Sequence, residues 1–209
     1  MTLVLASSPT WAETKTSHSV SAQQHKHDKG FWNSLSRSWL TREQIDLLNL
    51  AHRIGMESDG EAHAAMLQSI LMQESHAGRF GRIGDTNADI GKRSYGVMQI
   101  KLITANDVLA RYPSMGRFKT EEDLIIKLVT DDYFNIQIAS RHLLLLRNHT
   151  KREAQAVMAY NTGLSKALKH WYPEKFRYVR KVKRYLTHVV TPFNRRYGNE
   201  IQTVALLDG

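Results

Sequence analysis

The sequence predicts a mainly α-helical domain with a short, irregular β-hairpin in its middle. Apolar residues recur at helical spacing along most of the chain, as at Leu67, Ile70 and Leu71. A Gly-rich stretch at residues 79–100 interrupts this periodicity and is typical of a loop with a hairpin. The 209 residues suffice for one domain with a sizeable core.

The first helices carry recognisable start signals. Thr41 is a candidate N-cap, and Gln44 stands three residues later, where a capping box needs it. Ser58 and Glu61 form a second candidate box. The helix that we expect after them ends at Glu74-Ser75.

Further helices follow the hairpin. Their expected ranges are residues 103–112, 120–129, 134–146 and 151–160. Asp131 or Asp132 is expected to cap the helix of residues 134–146, whose apolar stripes are broad enough for a buried helix. Pro173 suits a first helical turn and precedes a helix predicted from Glu174 to His188.

The helical domain is therefore expected to span residues 31–190. Residues 1–30 are interpreted as a truncated export signal and a flexible tail. A short apolar run and small residues at Thr10-Trp11-Ala12 favour a signal, whereas a basic stretch ahead of them is missing. Residues 191–209 lose the helical period and are expected to form a C-terminal tail. The interpretation implies an exported protein of the periplasm or cell envelope.

Composition narrows the chemistry. The chain has no Cys, which excludes disulfides and thiol catalysis. Its formal net charge of +9 favours anionic partners such as nucleic acid, phospholipid or acidic wall polymers. No stretch approaches the roughly 20 apolar residues of a membrane-spanning helix.

Glu74 is the most informative residue. With Leu67, Ile70 and Leu71 it occupies positions i, i+3, i+4 and i+7, so a carboxyl group lies in line with an apolar stripe. Burial there would raise the pKa of the carboxyl group, as a general acid near neutral pH requires. Taken alone, the position is explained better by a partly solvated glutamate at a helix end.

Four segments that follow one another in the sequence favour a catalytic role for Glu74. They are Glu74-Ser75, Gly96-Val97-Met98-Gln99, Ala159-Tyr160-Asn161-Thr162-Gly163, and Glu174 followed by Tyr178-Val179. Over roughly residues 60–185 the chain resembles the bacterial lytic transglycosylases of the soluble, lysozyme-like (SLT) type. That family carries Glu-Ser, Gly-Leu-Met-Gln, Ala-Tyr-Asn-Ala-Gly and Glu-x-x-x-Tyr-Val. The last segment departs most, because Lys175 and Phe176 replace the usual Thr-Arg.

The resemblance implies a lysozyme-like fold with the hairpin beside a catalytic cleft. It implies cleavage of the β-1,4 bond between N-acetylmuramic acid and N-acetylglucosamine in peptidoglycan. A single glutamate, here Glu74, would protonate the glycosidic oxygen and then deprotonate the C6 hydroxyl, which gives a 1,6-anhydro product. Neither a cofactor nor a metal is expected.

Substrate-binding roles are expected for three residues near Glu74. Ser75 either hydrogen-bonds the sugar or helps to end the helix. Gln99 would bind an acetamido group, unless its amide fixes the hairpin to the helices. Met98 has a side chain typical of a core, and its role rests on the resemblance.

Four later residues complete the expected site. Tyr160 offers a face for sugar packing and a hydroxyl near the Glu74 oxygens, or is a core tyrosine. Asn161 either binds substrate or belongs to the helix end. Tyr178 is expected to be half core and half cleft floor. Glu174 would bind sugar or stem peptide, although a glutamate in a first turn also stabilises the helix dipole.

Two alternatives stay open. Goose-type lysozymes share the Glu-Ser-His-Ala-Gly run found at Glu74. A hydrolase of this kind would use a further carboxylate to position water, for which Asp85 is the main candidate and Asp89 the other. Lys101 stands where those enzymes tend to place an aspartate, which favours the transglycosylase. The other alternative, less favoured, is a non-catalytic wall-binding module.

The expected partner is the peptidoglycan glycan strand. The basic helix at residues 175–184 is a candidate contact for anionic wall polymer or a membrane surface. A secretion or conjugation apparatus is a further candidate partner. No nucleic-acid-binding motif is recognisable, so no specific nucleic-acid partner is expected.

Overall fold

The structure is a computed structural model that describes residues 40–197. The predicted export signal and tail at residues 1–30 lie outside this part, as do residues 198–209. The helices of the described part are α1 (Arg42–Ser75), α2 (Leu102–Arg111), α3 (Glu121–Thr130), α4 (Asp132–Asn148), α5 (Glu153–Thr162), α6 (Leu164–Leu168) and α7 (Arg177–Tyr185). The predicted mainly α-helical, lysozyme-like class is confirmed.

Helix α1 is a pair of helical arms that fold back on each other. Asp59 and Gly60 leave helical geometry, and Gly60 has a φ of 77°, which a residue without Cβ adopts freely. The arms pack so closely that a Cβ on Gly55 would lie 2.3 Å from the Cα of Ala64. The second arm, residues 61–75, carries Glu74.

Two capping boxes were predicted within the range of α1, and only the first is present. The Thr41 side chain accepts a hydrogen bond from the Gln44 backbone at 3.3 Å, and the Gln44 side-chain oxygen accepts one from the Thr41 backbone at 3.0 Å, so this capping box is confirmed. The box at Ser58 and Glu61 is wrong. The Ser58 hydroxyl donates back to the carbonyl of Ile54 at 2.7 Å, because Ser58 still belongs to the first arm.

The expected hairpin is a small three-stranded antiparallel sheet. Its strands are β1 (Ile83–Gly84), β2 (Ser94–Tyr95) and β3 (Ile100–Lys101), in the order β1-β2-β3. Tyr95 lies opposite both Ile83 and Ile100. The sheet joins the end of α1 to the start of α2 and so lies beside Glu74.

The core forms around the second arm of α1. Fully buried apolar side chains from α1, α4 and α5 meet there, among them Leu67, Ile70, Leu71, Ile136, Leu143 and Met158. Asp131 caps α4 by accepting a hydrogen bond from the Phe134 backbone at 2.9 Å, as one of the two predicted caps. The Thr120 side chain caps α3 in the same way, through the Asp123 backbone.

The C-terminal part differs from the prediction in two respects. Residues Pro173–Lys175 form a separate 3₁₀ turn, and extended geometry at Phe176 divides this turn from α7. Beyond α7 the chain continues through the π-helical segment Leu186–Val190 into a helix at residues 191–197.

The segment expected to begin a tail is therefore packed on the domain up to residue 197. Phe193 is buried, and the amides of Asn194 and Gln68 exchange hydrogen bonds at 2.9 and 3.0 Å. One pair of amide hydrogen bonds and one buried aromatic ring hold this segment, and they produce little helical periodicity in its sequence. Within residues 40–197, no helix has both the length and the apolar character needed to cross a membrane.

Candidate active site

Glu74 lies in the last turn of α1, on the floor of a cleft beside the small sheet. Its side chain is partly buried, and burial raises the pKa of its carboxyl group from 4.5 to about 7. The apolar stripe that contains Leu67, Ile70 and Leu71 is buried completely, which explains the poor solvation of the carboxyl group. Near neutral pH this group can both donate and accept a proton.

Tyr178 is the hydrogen-bond partner of Glu74. Its hydroxyl donates to the Oε1 atom of Glu74, and this interaction lowers the pKa of the carboxyl group, against the larger effect of burial. The Tyr178 side chain is itself buried, and burial holds its own pKa well above 10. The tyrosine therefore remains a donor at any pH at which the protein works.

The cleft has a volume of about 560 Å³, within the range of small-molecule sites. Glu74, Ser94 and Gln99 contribute polar groups on one side, and α2 and α4 form the opposite wall. Its lining also includes Ile100, Lys101, Ile103, Thr104, Asp107, Arg111, His142, Leu145, Leu146, His149, Ala159, Tyr160, Asn161, Thr162, Gly163 and Leu164. Apolar surface and convergent polar groups together suit a sugar chain.

The loop at Gly96 shapes the sheet side of the cleft. Gly96 has a φ of 75°, and a Cβ there would lie 2.2 Å from the Asn135 amide nitrogen, so only glycine fits. The Asn135 oxygen accepts a hydrogen bond from the Met98 backbone at 2.8 Å. Gln99 then lines the cleft, and its amide bonds the Ser94 hydroxyl at 2.7 Å and the Gly96 carbonyl at 2.9 Å.

The side chain of Met98 does not lie in the cleft, where its expected role in substrate binding would place it. Its side chain is completely buried and is not part of the cleft lining. Its carbonyl accepts a hydrogen bond from the Tyr160 hydroxyl at 3.0 Å. Met98 therefore connects the sheet to α5 through its backbone, and the Tyr160 hydroxyl points to this carbonyl rather than to Glu74.

Tyr160 and Asn161 both line the cleft, at the end of α5. Asn161 is exposed, whereas Tyr160 is partly buried and packs against the ring of His142, with centroids 5.5 Å apart. The structure thus brings these two predicted residues together with Glu74 and Gln99.

Ser75 and Glu174 lie outside the cleft lining. Ser75 is buried, and its hydroxyl accepts a hydrogen bond from the Gly78 backbone at 2.9 Å, which fits the interpretation as a helix-ending residue. Glu174 forms a salt bridge with Arg152 at 3.0 Å on the surface. Its carboxylate is paired with Arg152, which directly precedes α5, instead of facing Glu74.

Asp107 and His142 are two of the cleft residues that were not predicted as site residues. Asp107 of α2 lines the cleft and forms a salt bridge with Arg111 at 3.1 Å. His142 of α4 lies nearby, and burial lowers its pKa to about 4, so its ring is neutral near pH 7. Asp85, the carboxylate proposed for a hydrolase, is exposed directly after β1 and does not line the cleft.

A second groove, of about 970 Å³, lies at the start of α1 and contains Thr41, His76 and Arg82, but not Glu74. Although it is larger, its carboxylates are either exposed, as in Glu43 and Asp46, or paired with Arg82, as in Asp132. Within residues 40–197, no three His, Asp or Glu side chains are placed to hold a metal ion. The cleft at Glu74 is therefore the candidate active site.

Comparison with protein families agrees with this geometry. The family model of the transglycosylase SLT domain matches residues 54–178, which is more than half of the chain and includes every cleft residue. The chain belongs to this family. No match was found among curated proteins or among solved structures.

The SLT family is lysozyme-like, and its members act on peptidoglycan. The match supports a peptidoglycan enzyme of the lytic-transglycosylase type. It begins at Ile54 in the first arm of α1 and ends at Tyr178, so it contains both the carboxyl group and its hydrogen-bond donor.

Proposed function

We propose that this SLT-domain protein is a lytic transglycosylase that cleaves the β-1,4 bond between N-acetylmuramic acid and N-acetylglucosamine. The observation that carries the proposal is the Glu74 carboxyl group, which has a pKa of about 7 and lies on the floor of a cleft within the matched domain. A group with this pKa is protonated often enough to act as an acid and ionised often enough to act as a base.

In the proposed reaction Glu74 acts twice. Its carboxylic acid gives a proton to the glycosidic oxygen, the bond from that oxygen to C1 of the muramic acid breaks, and N-acetylglucosamine leaves as an alcohol. The C6 hydroxyl of the same muramic acid then attacks C1 and loses its proton to the Glu74 carboxylate. The glutamate returns to its protonated form, and no water is consumed.

Tyr178 supports both states of Glu74. Its hydroxyl donates to Oε1 of Glu74, so it stabilises the carboxylate that exists between the two proton transfers. The same contact holds the carboxyl group in one orientation, with its other oxygen available to the substrate.

The other cleft residues fit the binding of a glycan strand. Gln99 and Asn161 present amides that can donate to and accept from an acetamido group. Tyr160 presents part of a ring at the cleft wall, where a sugar can pack. We propose these three as the substrate-binding residues.

The substrate sets the location. Peptidoglycan lies in the cell envelope, so we propose that the enzyme works there after export, in the periplasm where the cell has one. A secretion or conjugation apparatus that must pass through the wall is a proposed setting, and the charge of +9 suits a polymer that bears carboxylates.

Mass spectrometry of the products from purified peptidoglycan tests the proposal. Wild type should release fragments that end in 1,6-anhydro-muramic acid, lighter by one water than the hydrolysed sugar. Glu74→Gln should fold and lose activity by at least about a hundredfold, since it keeps the shape but cannot transfer a proton. Ordinary reducing ends, or near-normal activity of Glu74→Gln, would overturn it.

Hydrolysis is the second candidate, because one more carboxylate lines the cleft. Asp107, and not Asp85, could orient a water molecule there. However, Asp107 already forms a salt bridge with Arg111, and half of its side chain is exposed. The type of reducing end decides between the two reactions.

A further inference from the structure

Exposed apolar side chains cluster on the surface between α5 and α7. Trp171 is 84% exposed, more than any other large apolar side chain of residues 40–197. Leu168 and Tyr172 are 50% and 61% exposed. We call residues 168–172 the aromatic loop. Burying three such side chains would lower the free energy of the protein, so the loop is suited to contact an apolar partner.

The backbone of the aromatic loop is fixed although its side chains are exposed. Arg152 donates a hydrogen bond to the Trp171 carbonyl at 3.0 Å. Pro173, directly after the loop, is buried, and the rings of His170 and Phe176 lie 6.2 Å apart in an edge-on contact. The Trp171 ring is therefore presented to solvent from an ordered support.

Positive charge is concentrated around the loop. Residues 164–184 contain eight Lys or Arg and one acidic residue, a net charge of +7, whereas the whole chain carries +9. The acidic residue, Glu174, is paired with Arg152. Within residues 40–197, no salt bridge involves Lys169, Lys175 or Arg177. These three exposed side chains, next to the loop, are the basic rim.

We propose that the aromatic loop and the basic rim bind the surface of an anionic phospholipid bilayer. Trp and Tyr side chains are stable at the level of lipid headgroups, where one end of the ring is apolar and the other polar. Lys and Arg are attracted to anionic headgroups. An apolar anchor combined with a basic patch gives reversible binding that neither provides alone.

The position of the loop favours lipid over an extension of the sugar cleft. Arg152, which holds Trp171, precedes the first residue of α5, whereas the cleft is lined by the last residues of α5. A helix of ten residues is about 15 Å long, so Trp171 is held near the start of α5, away from the cleft residues at its end. One face of the Tyr172 ring is also covered by the Lys175 ammonium group, 4.7 Å from its centroid.

Cosedimentation of the full chain with lipid vesicles tests this proposal without any cleavage reaction. Vesicles of phosphatidylglycerol and phosphatidylcholine should bind the protein, less strongly at high salt, and pure phosphatidylcholine should not. The double variant Trp171→Ala/Tyr172→Ala should bind about tenfold more weakly. Ile126→Ala, which removes an apolar side chain 60% exposed on α3, is the matched control and should bind normally.

A second pair of variants tests the basic rim. Lys175→Glu/Arg177→Glu should lose binding, and Lys119→Glu/Arg53→Glu changes the net charge equally at exposed positions elsewhere. If both pairs weaken binding to the same extent, overall charge is responsible and the proposed surface is wrong.

Tryptophan fluorescence measures directly whether the aromatic loop contacts lipid. The chain has four Trp, so replacement of Trp11, Trp32 and Trp39 by Phe leaves Trp171 as the sole emitter. Its emission should shift to the blue when anionic vesicles are added. Binding that persists unchanged without Trp171, or binding to insoluble peptidoglycan alone that the double variant loses, would overturn the lipid proposal.

Discussion

The Tyr178 hydroxyl donates a hydrogen bond to the Glu74 carboxyl group across 104 residues of sequence. Glu74 ends the second arm of α1, and Tyr178 begins α7, so two helix ends meet at one proton-transfer group. Burial raises the pKa of Glu74, and the tyrosine limits that rise. The contact therefore adjusts the pH range in which the proposed acid and base steps work.

Replacing Tyr178 by Phe should shift the pH dependence of wall cleavage. The hydrogen bond lowers the pKa of Glu74, so its loss raises this pKa above about 7. The alkaline limb of the activity profile should move up by about one pH unit, because a bond to a charged group is lost. Clearing of peptidoglycan suspensions between pH 5 and 9 measures the limb.

Tyr160→Phe is the matched control for this shift. Its hydroxyl donates to the Met98 carbonyl at 3.0 Å and not to Glu74, so the limb should stay where it is although activity falls. If the alkaline limb does not move in Tyr178→Phe, the role assigned to Tyr178 is contradicted, whatever the result for Tyr160→Phe.

Glu74→Gln should stabilise the protein more at pH 8 than at pH 4. The unfolded chain releases the Glu74 proton near pH 4.5, whereas the folded chain keeps it up to about pH 7. Between these values the folded state binds more protons, so the stability of wild type falls as the pH rises. Glutamine does not ionise, and the stability gain over wild type should grow by about 2–3 kcal/mol between the two pH values.

Urea unfolding of both proteins at pH 4 and pH 8 measures this difference. Glu174→Gln is the control, because its carboxylate is exposed and paired with Arg152. The same gain at both pH values for Glu74→Gln would mean that the pKa of Glu74 is not raised in the folded state.

Local periodicity and the order of the motifs were sufficient to predict part of the fold and of the site. Glu74 was placed on the buried face because Leu67, Ile70 and Leu71 repeat with the helix, and the expected rise of its pKa agrees with its burial. The loop at Gly96 was predicted because glycines interrupt the helical pattern, whereas its place beside the cleft was implied by the resemblance to the SLT family. The helix face and the loop both depend on neighbours in the chain.

Contacts between helices that are far apart in the sequence could not be predicted. Asp107 and His142 lie on α2 and α4, and only the packing of these helices brings them to the Glu74 cleft. The pairing of Asn194 with Gln68 spans 126 residues, so nothing local to residue 194 announces a packed helix. Met98 belongs to a motif, but its buried position follows from the turn that Asn135 holds.

Phe193→Ala should destabilise the domain by about 3–4 kcal/mol, the usual cost of removing a buried aromatic ring. Phe193 is 4% exposed and lies in the helix at residues 191–197, beyond the expected end of the domain at residue 190. Thermal or urea unfolding measures the loss, and Ile126→Ala, at an exposed position, should cost little. Equal, small effects of both variants would mean that this helix does not contribute to the stability of the domain.

Asp107→Asn should leave the type of product unchanged. Asp107 is the carboxylate that α2 contributes to the cleft, and a hydrolase would use it to activate water opposite Glu74. It forms a salt bridge with Arg111, and half of its side chain is exposed to solvent, which fits a role in the cleft wall. The variant should still release 1,6-anhydro ends, at a rate within about tenfold of wild type, since no proton transfer is lost.

The comparison with Asp85→Asn makes this test specific. Asp85 is exposed outside the cleft, so its variant should match wild type in both rate and product. If wild type releases ordinary reducing ends and Asp107→Asn alone abolishes them, Asp107 positions the attacking water. Glu74 would then be only the general acid, and the chain would be a hydrolase built on the SLT fold. If Asp107→Asn instead keeps the anhydro ends, the C6 hydroxyl is the nucleophile, and Glu74 serves both proton transfers.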